Sequence, residues 1–429
     1  MMFQLALLFL LQTPSLESTS PKERQAAVEQ MATYGNAQAI TPLAEALRKE
    51  PKSDMRATIV AGLGRVGDKR VVPILAETLT SDLDNSVRLQ AIEAFTRLYI
   101  PAEDSGPIKT MFNRVKNAIA GGERQSIGEE TKVDPLVKDA LAEALKRSPS
   151  PEVRAAAAHA LGSLRARTHT GALVDAIENP QNQEHEDVRF ESLQSLGLLR
   201  DPAAGPALRR ALGDSSRRIV MEAVTGLGLV GYREARVELE TLFRQDSVSK
   251  ILTIRVDRDK ELRRRALAAL SLMQDPGSQP LFVSLLQDSD DRNREIAAEG
   301  LARLHYSDPK LKSLYEGERR TPVRIALAYA LVSSGQDNYF TEIAYGLGTT
   351  QSFQSEAYLY ELGRYGGKLS LLHVYLGTTT PPKVRVRMIH VLAEIGDPSS
   401  KELIQQLLSD RNDEVAREAI AAMRRYNAR

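Results

Sequence analysis

The chain has 429 residues, 42% of them hydrophobic but only 5% aromatic, with no Trp and no Cys. The missing cysteines exclude disulfides, thiolate metal sites, cysteine nucleophiles and a lipid-bearing cysteine anchor. Lys+Arg 57 against Asp+Glu 56 leaves a net charge of +1, without the basic excess that nucleic-acid binders place on one face, so no nucleic-acid partner is expected.

In chain order, Phe3 to Leu11 is an apolar run broken only by Gln4, followed by Gln12-Thr13-Pro14-Ser15. Its length suits the core of a secretory signal and is too short to span a bilayer. Small residues at Thr13 and Ser15 suit cleavage after Ser15. The expectation is a signal peptide over 1–15, a linker over 16–22, and a periplasmic or secreted protein. Only the α-amino group supplies the usual positive charge before the core. The alternative is therefore a cytoplasmic protein whose first helix caps the fold. No other stretch is apolar for long enough to be a transmembrane span.

From residue 23 a pattern recurs about every 31 residues, as from Val384 to Val415. The first buried residue of each opening helix reads as Met55, Val87, Val153, Val188, Ile219, Leu262, Asn293, Val323, Phe353, Val384 and Val415. A degenerate unit, Glu23 to Lys49, precedes them, and a half-repeat, Asp413 to Tyr426, closes the chain. Each unit reads as helix–turn–helix. Val153, Ala156, Ala157, Ala160, Leu161 and Leu164 form one apolar face of a 3.6-period helix. Asp201-Pro202, Asp275-Pro276, Asp308-Pro309 and Asp397-Pro398 each place a capping acceptor before a Pro suited to the first helical turn. Gly35, Gly67, Gly231, Gly335 and Gly396 suit the left-handed residue that ends a helix.

Val153-Arg154-x-x-Ala157-x-x-Ala160-Leu161-Gly162, and Val188-Arg189 through Leu196-Gly197 to Asp201-Pro202, resemble HEAT repeats. The resemblance is to the short, Ala-rich type named after the phycobilisome lyases. The arrangement as a whole is similar to uncharacterised exported bacterial HEAT-repeat proteins. It implies an all-α solenoid of about eleven HEAT-like helix pairs plus a terminal helix, with second helices lining the concave side. Repeats occupy 23–98 and 134–429, interrupted by an insertion over 99–133.

Several local motifs look like chemistry when taken singly. Gly62-Leu63-Gly64-Arg65-Val66-Gly67 and Gly226-Leu227-Gly228-Leu229-Val230-Gly231 match a dinucleotide fingerprint. That fingerprint must follow a strand and open a helix. Here both close an amphipathic helix, so a structural role is expected. Gly363 to Lys368 lacks the spacing and the Ser or Thr of a phosphate loop. The HEAT-type hydroxylase of deoxyhypusine repeats a His-Glu pair at four helix starts, whereas His185-Glu186 is the single pair here. A di-iron site needs several such ligands together. Neither metal nor cofactor is expected, and no catalytic residue is assigned.

An Arg follows most of the anchors: Arg56, Arg88, Arg154, Arg189, Arg263, Arg294, Arg324 and Arg385. Asp54, Asp84, Glu152, Asp187, Asp259 and Asp291, just before helix starts, are the expected partners in a charge ladder along the stack.

Function in repeat proteins tends to sit where the repeat is interrupted. In the insertion, Ile108, Met111, Phe112, Val115 and Ile119 make a helical apolar stripe. It reads as an extra packed helix or as a docking flap. Leu252, Ile254 and Val256 alternate with polar residues in a strand-like run within a long loop. Tyr339, Phe340, Tyr345, Phe353, Tyr358, Tyr360, Tyr365 and Tyr375 crowd into 37 residues, where an even spread of 13 Tyr and 9 Phe would put about two. They either fill wide gaps between helices or form a partner surface, since tyrosine buries area at low entropic cost and keeps a hydroxyl.

The leading expectation is a non-catalytic scaffold that binds a protein or peptide on the concave face. The contact residues would be Tyr339, Tyr345, Tyr358, Tyr360, Tyr365 and Tyr375, with Met111 and Phe112 of the insertion. The alternative is an enzyme or enzyme subunit of lyase or hydroxylase type. Oligomeric state is set by none of these features.

Overall fold

A computed structural model of the chain describes residues 15–34, 36–100, 131–244 and 259–427. Most of the leader, Gly35, the insertion with Met111 and Phe112, and the Leu252–Val256 run lie outside these residues. Among the described residues every regular element is helical and there is no strand.

The α-helices are α1 Pro21–Tyr34, α2 Ile40–Lys49, α3 Ser53–Val66, α4 Val72–Ser81, α5 Asn85–Tyr99 and α6 Pro135–Arg147. Then come α7 Pro151–Ser163, α8 Thr170–Glu178, α9 Glu186–Leu199, α10 Gly205–Arg210, α11 Arg217–Val230 and α12 Arg236–Arg244. They continue with α13 Lys260–Met273, α14 Gln279–Leu285, α15 Asp291–Arg303, α16 Lys310–Gly317, α17 Thr321–Ser333 and α18 Phe340–Gly346. The last are α19 Ser352–Arg364, α20 Leu369–Val374, α21 Pro382–Ile395, α22 Pro398–Gln406 and α23 Asp413–Asn427. Odd-numbered helices open repeats and even-numbered helices close them. The result is an α-solenoid of eleven helix pairs with α23 as the terminal helix, and residues 101–130 fall between the two helices of the third pair. The described helices form two compact units that divide between Ala207 and Leu208.

The capping chemistry follows the sequence. Asp201, Asp275 and Asp397 each accept a hydrogen bond from the backbone N–H two residues on, and Asp308 does the same for Lys310. Gly67, Gly231, Gly335 and Gly396 all have positive φ. Of the expected anchors, Asn293 is half-buried and Phe353 is 36% exposed, while the others are buried. In those two repeats the apolar register of the first helix is shifted.

Within each unit, successive first helices pack directly on one another. Glycines permit the close approach. A Cβ on Gly64 of α3 would stand 2.7 Å from the Ala94 Cβ of α5, and one on Gly228 of α11 would stand 2.6 Å from the Ala269 Cα of α13. On the other side, a Cβ on Gly62 would meet Val28 of α1 at 2.6 Å. The first two glycines of each apparent dinucleotide fingerprint are therefore helix-crossing points, and the third ends the helix in the left-handed conformation. Among the described residues, extensive packing between second helices is confined to α4 with α6 and α6 with α8.

The arginine row is present, with different partners from those expected. Arg56 binds Asp82 through Nε and Nη2 at 2.8 and 2.9 Å, and Arg294 binds Glu318 likewise at 2.9 and 3.2 Å. Arg324 reaches Glu342 at 2.9 Å, and Arg385 pairs with Asp410. In three of these four pairs the acid sits in the turn that follows the second helix of the same repeat; Glu342 lies within its second helix, α18. Asp84 instead caps its own helix, and Asp259 caps α13 while binding Arg217. Asp84, an expected partner along the stack, adds to the charge attraction on Arg56. Arg154, almost wholly buried, meets the neutral Asn182 Oδ1 at 2.9 Å and the Ser148 carbonyl at 2.8 Å.

Candidate functional site

The six tyrosines named from the sequence divide among three places. Tyr339, Tyr345 and Tyr375 lie on the second-helix side of the second unit. Tyr339, at the start of α18, meets Tyr315 of α16 edge-on, with ring centroids 4.9 Å apart. Tyr375, just after α20, packs against Phe340 at 5.6 Å and Tyr345 at 6.1 Å. Its hydroxyl lies 3.0 Å from the Thr341 hydroxyl. Tyr345 is 45% exposed and the adjoining Val374 is 68% exposed. These side chains form one aromatic stripe across α16, α18 and α20, and Tyr315 belongs to it although the sequence reading passed it over.

Tyr360 and Tyr365 make a separate pair at the end of α19, with ring centroids 6.1 Å apart and Tyr365 66% exposed. Burial pushes the Tyr360 hydroxyl well above its ordinary range.

Tyr358 is in a third place. It is 1% exposed and stacks on Tyr329 of α17 with centroids 4.4 Å apart. It therefore cannot present its ring to a partner, which corrects its assignment as a contact residue. The helical spacing of Tyr358 and Tyr360 puts them on different faces, and only the neighbouring helices decide which face is covered.

Around Tyr358 lies a polar network that the sequence reading missed. Its hydroxyl donates to Glu299 Oε1 of α15 at 2.6 Å. The Gln354 amide donates to Glu295 Oε1 at 3.0 Å and to the Tyr358 hydroxyl oxygen at 2.9 Å. Arg303 binds both oxygens of Glu361 at 2.9 and 3.0 Å, and Tyr329 donates to Glu361 at 2.7 Å. Arg292 binds both oxygens of Glu295 at 2.9 and 2.7 Å. Burial, with Glu299 nearby, pushes the Glu295 carboxyl up to about 7, and burial raises Glu299 too. A legible signal existed: Glu295, Glu299 and Arg303 form one stripe on α15, and Gln354, Tyr358 and Glu361 form another on α19.

A second buried carboxylate lies further along. Glu356 is 1% exposed, and burial holds its carboxyl up to about 7 despite Arg387 Nη1 at 2.7 Å. Among the described residues, no three His, Asp or Glu side chains gather as metal ligands, and no helix is long and apolar enough to cross a membrane.

Repeated helix pairs with Ala- and Gly-lined crossings, Asp-Pro turns and a recurring Arg row define a helical-repeat solenoid. The sequence matches the family model of HEAT repeats over residues 12–96, 181–254, 248–332 and 369–428. The chain belongs to the HEAT-repeat family. Among solved structures it is similar to the complex of CpcE and CpcF of phycocyanin lyase from Nostoc sp., at 20% identity over 63% of this chain and 92% of that one, with a TM-score of 0.35. It is similar to yeast importin-beta at 14% identity over 95% and 61% of the two chains, with a TM-score of 0.48. An engineered protein aligns over 96% of this chain and 97% of its own at 19% identity, with a TM-score of 0.30. No curated protein matches the sequence significantly.

Proposed function

We propose that this HEAT-repeat protein is a non-catalytic scaffold that holds a protein or peptide partner on the second-helix side of its second unit. The observation that carries the reading is the aromatic stripe of Tyr315, Tyr339, Tyr345 and Tyr375. Tyrosines with one face packed and one edge exposed combine a rigid apolar surface with hydroxyls for hydrogen bonding. Neighbouring rings hold Tyr339, Tyr345 and Tyr375 in place, so little ordering is needed on binding. Tyr365, with Tyr360 behind it, offers a smaller second contact.

Export belongs to the same proposal and rests on the apolar run Phe3 to Leu11. A partner in that case is itself extracytoplasmic.

The test is capture from the native host by crosslinking, with the wild-type chain and a Tyr345→Ala, Tyr375→Ala double variant side by side. A partner that is enriched with wild type and lost with the variant, at unchanged melting temperature, supports the surface. Equal capture by both would remove it. Fractionation of the same cells tests the export reading, and a purely cytoplasmic protein would overturn it.

A further inference from the structure

The repeat formed by α19 and α20 is packed unlike its neighbours. Among the described first helices of the second unit, direct packing is sparsest between α17 and α19 and next sparsest between α19 and α21. On the second-helix side, α20 packs extensively on α19 alone and buries only Leu372. The composition of α19 gives the reason. Half of the residues it buries are polar, namely Ser352, Ser355 and Glu356. The residues that α17 buries are all apolar or aromatic.

Polar bonds fasten this repeat where apolar contact is thin. Toward α15, Tyr358 donates to Glu299 at 2.6 Å, Gln354 donates to Glu295 at 3.0 Å, and Glu361 accepts from Arg303 at 2.9 Å. All three bonds skip over α17, although Gln354 also donates to the Pro322 carbonyl of α17 at 2.9 Å. Toward α21, Glu356 accepts from Arg387 at 2.7 Å, and Arg364 donates to the Ile395 carbonyl at 3.1 Å. The Ser355 hydroxyl is buried and finds no hydrogen-bond partner among the described residues.

The two kinds of contact respond differently when helices part. Apolar surface loses its burial outright, whereas a polar group exchanges a protein partner for water and gives up little. A repeat held by polar bonds on both sides is therefore the least costly place for the stack to open.

We propose that the α19–α20 repeat is the hinge of the second unit, opening by itself while the repeats before and after it stay folded. Opening breaks the bonds from α19 to α15 and lets water reach Glu295, Glu299 and Glu356. The hinge has a consequence for binding that rests on the docking reading above. Tyr315, Tyr339 and Tyr345 precede the hinge, whereas Val374 and Tyr375 move with it. The aromatic stripe is complete only while the hinge is closed, so a partner lying along the whole stripe holds it shut.

Hydrogen exchange of the full chain with no partner added reads the hinge whether or not the stripe binds anything. Mid-helix amides of α19 should be at least ~10-fold less protected than those of α17 and α21. Tyr358→Phe keeps the ring stacked on Tyr329 and deletes the bond to Glu299. Protection of α19 should then fall by a further ~5-fold. Ser355→Ala removes the unpartnered hydroxyl and should raise that protection ~5-fold. Amides of α13 and α21 should keep their wild-type protection in both variants. Equal protection of α17, α19 and α21 in the wild-type chain, or variant effects spread evenly from α11 to α23, would overturn the hinge.

Discussion

Replacing Glu356 by Gln should remove a defined part of the pH dependence of stability in the second unit. Glu356 sits on α19 against Arg387 of α21, and its Oε2 is buried without a hydrogen-bond partner. Burial outweighs the attraction of Arg387 and lifts the carboxyl from 4.5 to about 7. A carboxyl raised on folding contributes fully below its unfolded value, and the contribution is lost as pH rises through the folded one. The window is therefore about 4.5 to about 7. Each pKa unit is worth about 1.4 kcal/mol, and between about pH 5 and about pH 8 the two titration curves separate by about 2.5 kcal/mol. Gln has nearly the shape of the protonated acid and no charge to desolvate. The variant should match wild type in acid and exceed it by about 2 kcal/mol at about pH 8. Urea unfolding followed by tyrosine fluorescence, usable because the chain has no Trp, gives both stabilities. A variant that loses as much stability as wild type over this range would refute the reasoning.

Three further outcomes follow from the packing. Tyr358→Ala should cost about 3–5 kcal/mol, because it opens a cavity beneath Tyr329 and strands Glu299, whereas Tyr345→Ala should leave the melting temperature nearly unchanged. Asn182→Ala should destabilise the first unit by about 2–3 kcal/mol in chemical melts, since Arg154 is buried and loses the acceptor for its Nε. Gly228→Ala should cost roughly 1–3 kcal/mol or more, because the new Cβ meets the Ala269 backbone and the helices must part. A melt unchanged by Gly228→Ala would mean that α11 and α13 do not cross as closely as described.

Much of the architecture was legible one repeat at a time. Asp-Pro turns, helix-ending glycines and the apolar period are local signals, because capping and left-handed backbone depend on neighbours a few residues away. They give the helix pairs in order. The same locality explains the misses. Arg56 is expected to pair along the stack with a helix-start acid such as Asp84, yet its side chain binds Asp82 in the turn after the second helix of its own repeat. Phe353 stands at the interval expected of an anchor, although α19 uses a shifted face.

The sequence by itself determined the all-α repeat, its count, and the structural role of glycines that imitate a nucleotide site. Those properties follow from periodicity, which needs no knowledge of what a face meets. Only the tertiary structure decided that Tyr358 is core while Tyr345 is surface, and that Glu295, Glu299 and Arg303 of α15 meet Gln354, Tyr358 and Glu361 of α19. Contacts between residues 58 or 59 positions apart depend on how three successive helices tilt against one another. Helical period names the residues on a face, and packing decides which neighbour covers it.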